Sequence, residues 1–224
     1  MSGAGLRGRS LLEQTLRATG EMRDDEIDLA DVALALAALD RPGADLAPYR
    51  AHLGDLARAV AAKISSDAQD NVMSRARALA DVIGYEYGYA GDETSYDDPR
   101  NADLMQVIDR RKGLPVALAI LYLDIADRLG WHATGINFPG HFLIRMEQGA
   151  MRLIVDPFHG GAERSVADLR ALLKQVAGLD AELEPRHYAA IGRRDTLIRL
   201  LNNIKTRALS DGNPARGAEI VDRM

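Results

Sequence analysis

From Arg9 to about Ala90, leucine and alanine recur at three- and four-residue spacing, and aromatic and β-branched residues are scarce. That period predicts amphipathic helices, and breaks at Arg41-Pro42-Gly43 and Ser65-Ser66-Asp67 divide the segment into three or four. Leu29, Val32, Ala33, Leu36 and Leu39 fall on one face of such a helix, and another begins at Ser74 and ends near Gly84. Tyr85 to Asp92 mixes tyrosines with glycines and leads into the turn-forming Tyr96-Asp97-Asp98-Pro99, so a loop and a domain boundary are expected there. Its tyrosines are expected to pack against the next domain.

The following helix has clear ends. Gly113 and Pro115 stand at its start, Val116 to Leu123 is an apolar run, and Gly130 follows Leu129. Fourteen residues, Pro115 to Arg128, span about 21 Å, and apolar residues on every side predict a buried, central helix. After Trp131 the texture becomes short and extended, which predicts antiparallel strands over Ala133 to Asn137, Gly140 to Met146 and Ala150 to Asp156. Helical spacing returns from Val166, with breaks at Glu184-Pro185 and at Ser210 to Pro214. The expected division is a helical region over 1–90, a core over 91–165 and a helical region over 166–224.

Composition narrows the function. The 224 residues are 47% hydrophobic and 27% charged with a net charge of -5, values of a packed globular chain. No basic run exists to neutralise phosphates, so nucleic acid and membrane surfaces are not expected partners. No apolar stretch reaches the length of a membrane span and the opening MSGAGLRGRS lacks a signal-peptide core, so a cytoplasmic location is expected. The chain has no cysteine, which excludes disulfides, thiolate metal sites and thiol nucleophiles.

A hairpin turn at Gln148-Gly149 places residue 141 opposite residue 156, setting His141 beside Asp156 on one face of the sheet. The same register sets Arg145 opposite Arg152, an unfavourable pair. A histidine oriented by an aspartate is two-thirds of a nucleophilic triad; the missing part is a nucleophile at a helix start.

Several motifs carry a resemblance. They are Tyr96-Asp97-Asp98-Pro99-Arg100-Asn101, Asp109 to Pro115, Leu121-Tyr122-Leu123, Arg128-Leu129-Gly130, Phe138 to Leu143 and Asp156-Pro157-Phe158. Together they resemble the SirB-type branch of the transglutaminase-like superfamily over about residues 30 to 224. The resemblance implies an α+β fold: a papain-like core, with its central helix packed on an antiparallel sheet, between helical flanks. It implies a Cys-His-Asp site in active members, whose cysteine position falls on or next to Pro115 here, leaving His141 and Asp156 as a vestigial dyad. The branch generally shares this departure. Leu197 to Lys205 and Asn213 to Glu219 resemble the tetratricopeptide-like hairpin that ends such proteins.

The expected function is therefore non-catalytic: binding, scaffolding or regulation, with a protein partner and no cofactor. The rival is a hydrolase or acyl-transfer enzyme using the His141-Asp156 pair as general base without a cysteine. Tyr96, Arg110, Arg111, Lys112 and Trp131 are the candidate binding residues. The three basic residues could fix an anion at the helix start, or could pair with Asp97, Asp98 and Asp103. His132 and His159 could join the dyad as metal ligands, but no zinc-motif spacing is present and no metal is expected.

Overall fold

The computed structural model describes residues 3–41, 43–65 and 70–223, with side chains from Ser10 onward. Pro42, Ser66 and Asp67, where the sequence predicts helix breaks, lie outside the described residues.

Four helices come first: α1 (Gly3–Glu21), α2 (Leu29–Ala38), α3 (Ala47–Ser65) and α4 (Val72–Leu79). Each polar start has a chemical reason. Asp28 caps α2 through the Asp31 N–H, and the Asn71 side chain accepts from Met73 and Ser74 at the head of α4. The helix ends two residues past Gly84, because α4 runs on as a π-helical turn, Ala80–Glu86, whose Val82 and Ile83 are fully buried. Packing of those two side chains outweighs the local preference of glycine to stop a helix. Of the tyrosines that follow, Tyr85 faces solvent while Tyr89 is buried.

Two short strands, β1 (Ala90–Gly91) and β2 (Lys112–Gly113), pair in parallel across α5 (Leu104–Arg110). The central helix α6 spans Pro115–Arg128 as the sequence predicts, and every residue from Pro115 to Ala126 is buried. Leu114 is extended and Pro115 fixes the first helical dihedral, which starts the helix without a side-chain cap.

The sheet holds five antiparallel strands in the order β6-β5-β4-β3-β7: β3 (His132–Ile136), β4 (Leu143–Gln148), β5 (Met151–Asp156), β6 (Ala162–Glu163) and β7 (Ala190–Ile191). The β4–β5 register differs from the sequence reading. Arg145 pairs with Ile154 and Glu147 with Arg152, so the turn residues are Gly149 and Ala150. Gly149 has φ 59°, and a turn of the II′ type wants glycine at its first central position rather than its second. The slip amounts to two residues, which preserves the inward and outward alternation. It also removes the Arg145–Arg152 clash, since Glu147 now lies within 3.0 Å of both arginines.

Helix α7 (Val166–Ala177) packs Leu169 and Leu173 on Ile136, Phe138 and Leu143 in a second, smaller core. Helices α8 (Arg193–Ser210) and α9 (Pro214–Val221) form a hairpin that docks Leu197, Leu200, Leu201 and Ile220 into the main core. That core is continuous from Ile27 to Ile220 and includes α6, so burial of apolar surface ties all three sequence segments together. The fold is α+β with helical flanks. Among the described residues no helix is long and apolar enough to cross a membrane.

Candidate functional site

Asp156 closes β5 and caps the 3-10 turn Pro157–His159, accepting hydrogen bonds at Oδ1 from the N–H groups of Phe158 (3.1 Å) and His159 (3.4 Å). An aspartate followed by proline suits that role, since the proline has no N–H to satisfy. The turn brings His159 back over the carboxylate, with its Nδ1 2.8 Å from Asp156 Oδ2. From the other side, His141 Nε2 lies 2.9 Å from Oδ1. His141 is not on a strand, as the sequence reading had it. Phe138 to His141 is a tight turn closed by the His141 N–H on the Phe138 carbonyl, and β4 begins two residues later.

Arg164 completes the ring of donors. Its Nε and a terminal nitrogen reach Asp156 Oδ2 at 3.0 and 2.8 Å. Asp156 is 0% exposed and His141 7% exposed. Burial by itself would push the Asp156 carboxyl up, but the hydrogen bond and charge of His141, followed by His159 and Arg164, outweigh it and hold the carboxyl well below the usual carboxylate range. Below this cluster, Tyr122 of α6 is fully buried, and its hydroxyl has no hydrogen-bond partner among the described residues. Burial raises its pKa and the Asp156 charge raises it further.

Aromatic rings wall the cluster. Phe158 lies edge-on to His141 at 5.7 Å and to Tyr96 at 5.9 Å, and Arg207 stacks over Tyr96 at 5.5 Å. The Phe158 ring rests on Gly91, where any Cβ would come within 2.4 Å of it. Gly91 pairs with Gly113, two residues before Pro115, so this contact ties the start of α6 to the His141–Asp156 cluster. Phe158 thus touches Tyr96, Gly91 and His141, and the strand pair that Gly91 makes lies two residues before Pro115.

The other candidate binding residues are differently placed. Arg110 spans buried Asp92 and Asn101 at 3.0 Å each, with Asp98 at 3.9 Å. Its expected partners Asp97 and Asp103 pair instead with Arg207 and Arg41. Arg111 takes a left-handed conformation at the end of α5 and directs its guanidinium to His52 Nε2 (2.8 Å) and the Tyr89 hydroxyl. Burial pushes the Tyr89 phenol up to about 12 although Arg111 opposes it. Lys112 is exposed. The basic triplet therefore anchors the loop before α6 through two of its three members. Trp131 stands past the far end of α6 from Pro115, under Arg75 at 5.2 Å, and lines a cleft with Asp124, Asp127 and Arg193. His132 pairs with Glu147 at 3.1 Å and takes no part in the Asp156 cluster.

Arg164, Phe158 and Tyr122 are absent from the sequence-derived site. The three-residue spacing of Asp156 and His159 around a proline was a usable signal, because a 3-10 turn superposes residues i and i+3. Arg164 lies on the strand edge after β6, and only the fold shows that it reaches back to β5.

Comparison with known proteins bears on this geometry. A model described as the transglutaminase-like superfamily matches residues 47–202. A UPF0162 protein of Vibrio cholerae is 32% identical over 189 residues, covering 84% of this chain and 68% of the relative. One from Xylella fastidiosa is 36% identical over 141 residues, covering 61% of this chain and 50% of its own length, so the match spans about half of that relative. Human F-box only protein 21 is 28% identical over 143 residues, 60% of this chain and 22% of that protein. No solved structure matches the chain significantly. The family match contains α6, the β3–β5 strands and the His141–Asp156 cluster, and with the UPF0162 likeness it establishes that the chain belongs to the transglutaminase-like superfamily.

Proposed function

We propose that this chain is a non-catalytic member of its superfamily, of the SirB-type branch, that works in the cytoplasm as a binding or scaffold component with a protein partner. The observation that carries the reading is the start of α6: Pro115 is buried at the first helical position, on or next to which the resemblance puts the nucleophile. Proline offers neither a nucleophile nor an N–H, and the sequence has no cysteine to replace it. The saturation of Asp156 by His141, His159, Arg164 and two backbone N–H groups gives the pair a structural reason to persist without chemistry, since a buried polar network is costly to half remove. His141 at 7% exposure also leaves little access for a substrate, which counts against the general-base alternative. On this reading the helical segments 1–90 and 166–224 flank the core 91–165, and the tetratricopeptide-like α8–α9 pair is a surface offered to the partner.

The test is Pro115→Cys. The variant is expected to fold, since helix starts accept many residues, and its thiol is expected to react with iodoacetamide no faster than an ordinary cysteine at neutral pH. Fast alkylation that disappears in the double variant with His141→Ala would show an activated nucleophile position and overturn the non-catalytic reading.

A further inference from the structure

Two imidazoles and a carboxylate converge at the end of β5 with their ligand atoms, on His141, Asp156 and His159, within 4.8 Å of one another. We propose that these three residues form a binding site for a divalent transition cation, with Zn2+ the ion the donor set suits. This goes beyond the non-catalytic reading and departs from the expectation of no metal drawn from the sequence.

The donor types select the ion class. Two imidazole nitrogens with one carboxylate and no thiolate favour zinc and its neighbours over calcium and magnesium, which prefer oxygen alone. The spacing is suitable as well. Ligand atoms each about 2.1 Å from a tetrahedral zinc ion lie about 3.4 Å apart, inside the 4.8 Å that bounds these three ligand atoms, so each imidazole nitrogen backs away from its carboxylate oxygen by about half an ångström. His141 Nε2 and His159 Nδ1 stand 2.9 and 2.8 Å from the two Asp156 oxygens. An ion between the imidazoles and the carboxylate therefore replaces two N–H···O hydrogen bonds, each histidine moving its proton to the other ring nitrogen or releasing it. The remaining adjustment draws the two imidazoles together. His159 can supply it, because its side chain is 42% exposed on a short turn.

The surroundings are those a ligating carboxylate needs. Arg164 donates twice to Oδ2, and the N–H groups of Phe158 and His159 donate to Oδ1, fixing the carboxylate from outside the ligand set. His159 is the exposed member of the three, and the carboxylate of exposed Glu93 lies 3.9 Å from its Nε2, a charge that favours a cation on that side. His132, by contrast, is bound to Glu147 in a different part of the sheet.

The experiment titrates zinc chloride into the full chain in competition with a chromogenic chelator, and repeats it on His159→Ala and His132→Ala. His159 is half exposed, so its variant is expected to fold, which circular dichroism checks. One ion per chain is expected, with His159→Ala weakening it by more than about tenfold, the least that loss of even an outer partner costs, and His132→Ala leaving it unchanged. Zn2+ should raise the melting temperature of the wild type by more than that of His159→Ala at the same concentration. Cobalt(II) substitution should give a visible spectrum that His159→Ala alters. Failure to bind one ion, or equal binding by the His159 variant, which would mark an adventitious ion only, overturns the proposal. The alkylation of Pro115→Cys is read without metal, so either proposal can fail without the other.

Discussion

Tyr122→Phe removes one oxygen from the middle of α6, where the ring is 0% exposed and the hydroxyl has no hydrogen-bond partner among the described residues. The space around it is closed: a Cβ added to Gly161 would sit 2.9 Å from the hydroxyl. Leaving a buried hydroxyl unsatisfied costs about 1–3 kcal/mol, and the variant recovers that cost. Against this stands the void left by one oxygen, which at about 24 cal/mol per Å3 and roughly 15–20 Å3 amounts to about 0.4 kcal/mol. The net expectation is stabilisation by about 1–2 kcal/mol, or roughly 3–6 °C in Tm for a chain of this size. Urea unfolding followed by circular dichroism, with an unchanged m value, measures it. A loss of 1 kcal/mol or more would refute the reasoning. It would mean that the hydroxyl donates to a partner, directly or through water, and that Tyr122 is a member of the Asp156 network rather than a bystander to it.

Gly91→Ala drives a Cβ into the Phe158 ring at 2.4 Å and should destabilise the chain by about 1–3 kcal/mol, with part of the loss relieved in the double variant with Phe158→Leu. A neutral Gly91→Ala would show that this contact does not set the position of Phe158. His52→Gln tests the Arg111 anchor. Burial, then the Arg111 charge, lower the His52 pKa, so the unfolded state takes up the proton first and wild-type stability falls as pH drops below about 6.5. Urea melts at pH 7.5 and 5.5 should show a smaller fall in the variant; equal falls would remove the argument.

Much of this architecture is written in local patterns. The bounds of α6 follow from Pro115 at one end and Gly130 past the other, because both residues act on the backbone dihedrals of their own positions. The three strands follow from short extended segments set between turn residues, with the second starting three residues later than expected, and the absence of a thiol follows from the sequence alone. The pairing of His141 with Asp156 is expected from a facing strand position, but His141 reaches the carboxylate from the turn before β4, so the contact is seen while the register inferred for it is not.

What needed the tertiary structure depends on residues far apart in the chain. Val82 and Ile83 carry α4 past Gly84 because the core they fill is built by other helices. Arg110 and Arg111, which from the sequence could face an anion or nearby aspartates, are taken by Asp92 and Asn101 and by His52 and Tyr89. The nearest opposite charge in sequence is not the nearest in space. Trp131, a candidate binding residue, and Pro115, the lost nucleophile position, are separated by the length of α6, about 20 Å at the helical rise. The donors around Asp156 converge from β4's leading turn, the 3-10 turn after β5 and the edge after β6. A buried carboxylate is stable only when such donors surround it, and their directions are fixed by strand pairing that local sequence preference does not encode.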